Sequence, residues 1–143
     1  MGLEENKAAV RRFSLVWATT DLTLLDELAS PDITVSFPVL PRPIQGIAAF
    51  KAMLTKLRSA FVDGTIEIQD QIAEGDKVVL RWRFSATHEG EFPLGIRPTH
   101  KRLTWTGISI YRVVDGKVVE ERGEEDYLTI LRQLGRIPER REA

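Results

Sequence analysis

Residues 117–135, KVVEERGEEDYLTILRQLG, hold the junction that organises the chain. Lys117 to Glu125 reads as a strand. Tyr127, Ile130, Leu131 and Leu134 then fall at helical spacing and make a short apolar stripe. Gly135 fits the helix C-terminal cap, with Pro138 just beyond. Asp126 stands at the hinge, and two readings of it are open. Its carboxylate could accept the backbone N–H of Leu128 or Thr129 as an N-cap. It could instead be a general base in a pocket. The roles compete, because a helix N-terminus favours the charged form and lowers the pKa.

Working outward, Asp115-Gly116 is a two-residue turn of the hairpin type, preceded by a strand over Leu103–Val113. There Leu103 and Trp105 share one parity, and Ile108 and Ile110 the other. A bulge at Gly107 would put all four on one face. Lys77 to His88 is a strand with Val78, Leu80, Trp82, Phe84 and Ala86 on one side, and Arg81, Arg83, Ser85 and Thr87 on the other. Glu74-Gly75-Asp76 turns back to a strand in which Ile66, Ile68 and Ile72 alternate with Glu67, Gln69 and Gln71. Residues 89–101 form a longer connection.

The first half is mainly helical. Residues 4–18 carry Ala9, Val10, Phe13, Val16 and Trp17 on one stripe. Thr19-Thr20-Asp21 opens a second helix with Leu22, Leu25 and Leu28 on one face, ended by Pro31. Asp32 to Phe37 is the first strand. Residues 38–46, PVLPRPIQG, hold three of the seven prolines and form a stiff loop that could overhang a pocket mouth. Ile47, Phe50, Leu54, Leu57 and Phe61 mark the best amphipathic helix of the chain. Three helices with one strand among them, then four strands in meander and a short helix, predict an α+β domain. Its antiparallel sheet buries one face against the helices.

The bulk numbers narrow the function. The chain has 143 residues, which predicts a single domain, 1–143, with a core over about 6–135 and a frayed tail at 136–143. Twenty Lys and Arg against twenty-one Asp and Glu leave a net charge of −1, which argues against nucleic acid or an anionic membrane as the main partner. There is no cysteine, and so no thiolate nucleophile or zinc–cysteine site. No apolar run is long enough for a membrane span, and a cytoplasmic location is expected. His88 and His100 stand in unlike contexts and do not suggest a metal site. Phosphate-loop, dinucleotide, H-E-x-x-H and G-x-S-x-G motifs are absent.

The strings NKAAVRRF (6–13), LDELASPD (25–32), IAEGDKVVLRWRF (72–84), ATHEGEFPLGIRPTHKRLTWTGISIYRVVDGKVVEE (86–121) and EDYLTILRQLG (125–135) resemble the SnoaL-like polyketide cyclases, also called ester cyclases. The resemblance runs from about Asn6 to Gly135. It implies a nuclear-transport-factor-2-like fold, a cone of curved sheet around a long helix with a pocket at the wide end. It also implies a homodimer and an intramolecular aldol cyclisation without metal or cofactor, on a small, apolar, carbonyl-bearing ligand. The family's catalytic aspartate matches Asp126. The chain departs from the family in reading Arg122 where many members have tryptophan, and His100 where glycine is common.

Glu120, Arg122, Glu124 and Asp126 share one strand parity, and Val119, Glu121, Gly123 and Glu125 the other. Periodicity leaves the inward face open. The family analogy favours the Arg122 face, with Arg122 orienting substrate and Glu124 beside it. Trp17, Phe37, Trp82 and Trp105 would then form an aromatic slot for a planar ligand. Two rival readings stand beside the cyclase: a non-catalytic binding or dimerisation module, and an epoxide hydrolase on the same fold. The hydrolase would need two carboxylates and an arginine converging on one water.

Overall fold

The computed structural model describes residues 2–91 and 95–138. Helix α1 spans Leu3–Ser14, and its last turn tightens to a 3-10 turn over Leu15–Trp17. Helix α2 is a short piece, Leu24–Leu28. Strand β1 (Ala29–Ser36), the two-residue β2 (Ile44–Gln45) and helix α3 (Ile47–Ala60) follow. Then come β3 (Phe61–Glu74), β4 (Lys77–His88), β5 (Arg102–Val114), β6 (Lys117–Glu125) and helix α4 (Tyr127–Gln133). The six strands form one mixed sheet in the order β2-β1-β6-β5-β4-β3. All neighbours are antiparallel except β1 and β6, which run parallel. Of the expected frayed tail, residues 139–143 lie outside the described residues, as do 92–94 of the expected connection.

The helices cover one face of the sheet because their stripes and the inward strand positions are both apolar. Val10, Phe13, Val16, Phe50 and Leu54 are fully buried. The Phe13 ring stacks on Phe50 at 6.1 Å and meets Tyr111 of β5 edge-on at 5.8 Å. Each such ring contributes roughly 1.5–3 kcal/mol by leaving water. On β4, Val78, Leu80, Trp82, Phe84 and Ala86 are buried while Arg81 and Arg83 are exposed, as the alternation predicts. Asp115 and Gly116 both take positive φ, the geometry of the tight β5–β6 hairpin.

Three expectations are corrected by register. Strand β5 pairs with β4 without interruption through Gly107, so there is no bulge there. Leu103, Trp105, Ser109, Tyr111 and Val113 therefore point inward, and Ile108 and Ile110 lie on the outer face. On β3 the second of two irregularities falls between Ile68 and Asp70. It reverses the parity, so Ile72 is exposed rather than aligned with Ile66 and Ile68. The third is β2, a short edge strand formed by the last residues of the proline-rich stretch, which the prolines made to look like pure loop.

Candidate active site

Between the concave face of the sheet and the helices lies a cavity of about 720 Å³. Tyr111 and Glu121 lie at its buried end, while the exposed residues Lys56, Ser59, Glu91 and Gly95 mark its rim. Val39, Leu40 and Pro41 also line it, so the proline-rich loop reaches the mouth. A turn closed by Leu40 N–H on the Phe37 carbonyl carries them there.

Trp17, Phe37, Trp82 and Trp105 all line this cavity. Trp17 meets Phe37 edge-on at 5.4 Å, and Trp105 lies 5.1 Å from Phe84. Two glycines make room for the rings. A Cβ on Gly107 would sit 2.2 Å from the Trp82 ring, and one on Gly123 would sit 2.2 Å from the Phe37 ring. Neither glycine needs special backbone geometry; each is a flat spot on which an aromatic ring rests.

Strand β6 presents Glu121, Gly123 and Glu125 inward and leaves Arg122 and Glu124 exposed on the outer face. This corrects the expectation that the Arg122 parity lines the pocket. The physical reason is pairing. Arg122 and Glu124 lie opposite Ile110 and Ile108, which face out once β5 runs without a bulge. Asp126 is corrected as well. It is exposed, caps α4, and accepts Thr129 N–H at 3.0 Å on Oδ1 and the Thr129 hydroxyl at 2.6 Å on Oδ2. Those two bonds hold its carboxyl below the usual range. Asp126 is thus engaged by the helix it starts and does not line the cavity.

The carboxylate that does face the cavity from a fully buried position is Glu121. The Trp17 indole donates to Oε1 at 3.1 Å, and the Ser109 hydroxyl donates to Oε2 at 2.9 Å. Ser109 in turn accepts the Trp82 indole N–H at 3.1 Å. Burial pushes the Glu121 carboxyl up to about 7, with the bonds from Ser109, Trp17 and Tyr111 pulling it part of the way back. Burial and then the charge on Glu121 keep the Tyr111 hydroxyl protonated.

Glu125 is the second carboxylate on the wall. The Trp105 indole donates to its Oε2 at 3.1 Å, and the Tyr127 hydroxyl bonds to it as well. Burial raises its pKa, and those two donors oppose the rise. All three tryptophans of the chain therefore point their N–H groups at the two wall carboxylates, directly or through Ser109. His88 is held by Thr99 and His100 pairs with Glu89; neither lines the cavity.

A mixed curved sheet wrapped over helices, with an aromatic cavity and buried acids, defines a nuclear-transport-factor-2-like α+β domain. The family model of the SnoaL-like polyketide cyclases matches residues 7–134, and the chain belongs to that family. It is similar to the aklanonic acid methyl ester cyclase DnrD of Streptomyces peucetius, 32% identical over 93 residues. That match covers 64% of this chain and 63% of DnrD, so it spans less than two thirds of the curated relative. Among solved structures it is similar to AclR of Streptomyces galilaeus, described as a proposed hydroxylase. The TM-score is 0.84 at 31% identity, over 99% of this chain and 87% of AclR. A proposed polyketide cyclase from Acidithiobacillus ferrooxidans gives 0.82 at 28% identity, over 94% of this chain and 98% of that one.

Proposed function

We propose that the chain is a cofactor-free cyclase of the aldol type, with Glu121 as its acid/base. The observation that carries this reading is a fully buried carboxylate, set at the closed end of an aromatic cavity and tuned to about 7. A base with a pKa near the working pH is the best compromise between being ionised and being able to take a proton. The substrate class is a small apolar molecule whose reacting carbon lies next to carbonyl groups.

Glu121 takes a proton from that carbon, and the C–H electron pair becomes the enolate. The carbon attacks a second carbonyl carbon of the same molecule, forming the new ring bond. The electron pair of that carbonyl moves to oxygen, which takes the proton back from Glu121. Nothing is lost or gained overall, so the step is an isomerisation. The Trp17 and Ser109 donors keep the carboxylate in one orientation throughout.

The described cavity residues include no arginine, and an epoxide-opening reaction would want one between its carboxylates. The cyclase reading is therefore the better supported of the two.

The test is proton exchange at the carbon next to the ketone of 2-tetralone in heavy water, followed by NMR. The wild type should exceed the buffer rate, and Glu121→Gln should lose that excess by about a hundredfold or more. A folded Glu121→Gln variant that exchanges at the wild-type rate would sink the proposal. Binding of 2-tetralone without any exchange would point instead to a non-catalytic binding module.

A further inference from the structure

Glu125 has no part in the proton transfer assigned to Glu121, yet it lies on the wall of the same cavity. The two stand four positions apart on one strand, which places both on the same face about 13 Å apart along β6. Midway between them the Phe37 ring rests on Gly123. A ligand that touches both carboxylates must run along the strand and across this ring. A flat conjugated molecule does so with little loss.

A carboxylate offers about four acceptor positions. The Trp105 indole and the Tyr127 hydroxyl engage Glu125, which leaves acceptor capacity on a residue that lines the cavity. The surrounding surface is apolar: Trp105, Phe84 and Ile130. An acceptor held in place by two donors and enclosed by rings rewards a ligand that brings a hydroxyl and penalises one that brings only an ether or a hydrocarbon edge.

We propose that Glu125 is a specificity-determining residue that accepts a hydrogen bond from a hydroxyl group on the far end of a flat aromatic ligand, the end remote from Glu121. This deepens the cyclase reading by giving its substrate a second polar group, and it rests on that reading for the orientation of the ligand. The hydroxyl preference itself is a binding property and is measurable without turnover.

The experiment compares 2-naphthol with 2-methoxynaphthalene by titration calorimetry, on wild type, Glu125→Leu, Glu125→Gln and Glu121→Gln, with circular dichroism to verify folding. The wild type should prefer the naphthol by about tenfold, the worth of one buried hydrogen bond. Glu125→Leu should bring the ratio close to one, and Glu121→Gln should leave it at the wild-type value. Should the leucine variant not fold, the near-isosteric glutamine decides: a ratio at least about threefold lower supports the assignment. A wild-type ratio near one overturns it. So does an unchanged ratio in a folded Glu125 variant, or a ratio lost in Glu121→Gln and kept in Glu125→Leu. Failure of the cyclase reading would show separately, as ketone exchange that survives Glu121→Gln.

Discussion

The indole nitrogen of Trp82 lies 3.1 Å from the Ser109 hydroxyl oxygen, and that contact decides where the Ser109 proton goes. With the oxygen already accepting from Trp82, the hydroxyl donates onward to Glu121. Serine at this position is therefore a relay between an aromatic wall and an acid, and its loss is felt at both ends.

Replacing Ser109 with alanine leaves the Trp82 N–H buried without its acceptor and removes one donor from Glu121. Stability should fall by about 1–3 kcal/mol, read by urea unfolding. The Glu121 midpoint should move further up, because the Ser109 bond is one of the influences holding it down. Adding Trp82→Phe should recover part of the lost stability, since both halves of the pair are then gone.

Glu121 makes stability depend on pH in a direction opposite to that of a salt-bridged acid. Between its ordinary value of 4.5 and its folded value of about 7, the folded chain holds a proton that the unfolded chain has released. Stability is thus full below that window and falls as pH rises through it, by at most about 3 kcal/mol. Glu121→Gln cannot ionise and should remove this fall. Urea unfolding at about pH 5 and about pH 8 measures the difference in each protein.

Gly107→Ala and Gly123→Ala should differ in cost. At Gly107 the new methyl would meet the Trp82 ring and also the Glu124 backbone carbonyl, which would be 2.7 Å away and belongs to the neighbouring strand. At Gly123 all three nearest atoms belong to the Phe37 ring, which is only half-buried and can turn aside. Gly107→Ala should lose about 1–3 kcal/mol and Gly123→Ala less. In the latter, ligand affinity should fall more than stability. Thermal unfolding and 2-naphthol titration, run on both variants, separate the two effects.

Asp126→Ala should cost about 1 kcal/mol through the lost cap and leave ketone exchange at the wild-type rate. The cap bonds hold its carboxyl below the ordinary value of 3.8, so its contribution is present above that value and fades as pH falls through the folded value. Unfolding at neutral pH should register the loss. An exchange rate that falls with Asp126→Ala would return this residue to the chemistry.

Much of the fold was legible from alternation. Val78 to Ala86 and the Ile47–Leu57 stripe read correctly, because one face of each is apolar, whereas Phe61, counted with that helix, opens β3 instead. The site was legible in its aromatic walls and not in its acids. Glu121-Gly123-Glu125 and Arg122-Glu124 are both charged sets, so period two could not choose between them. The clue lay one strand away. Read without a bulge, Leu103, Trp105, Gly107, Ser109 and Tyr111 form one face, and the pairing of Ser109 with Gly123 carries that face to Glu121 and Glu125. Pairing register is a long-range property, and the apolar pair Ile108 and Ile110 on the outer face pointed the other way. Asp126 was ambiguous for a local reason: an N-cap and a base at the end of a strand call for the same residue.

The placement of the three tryptophans has an optical consequence. Each indole lines the cavity and is hydrogen-bonded into the network around Glu121 and Glu125. All of the chain's indole emission thus originates in the cavity wall, with none contributed from the outer surface. Quenching and spectral shifts in ultraviolet fluorescence therefore report occupancy of the cavity and the ionisation of its acids, with no attached dye.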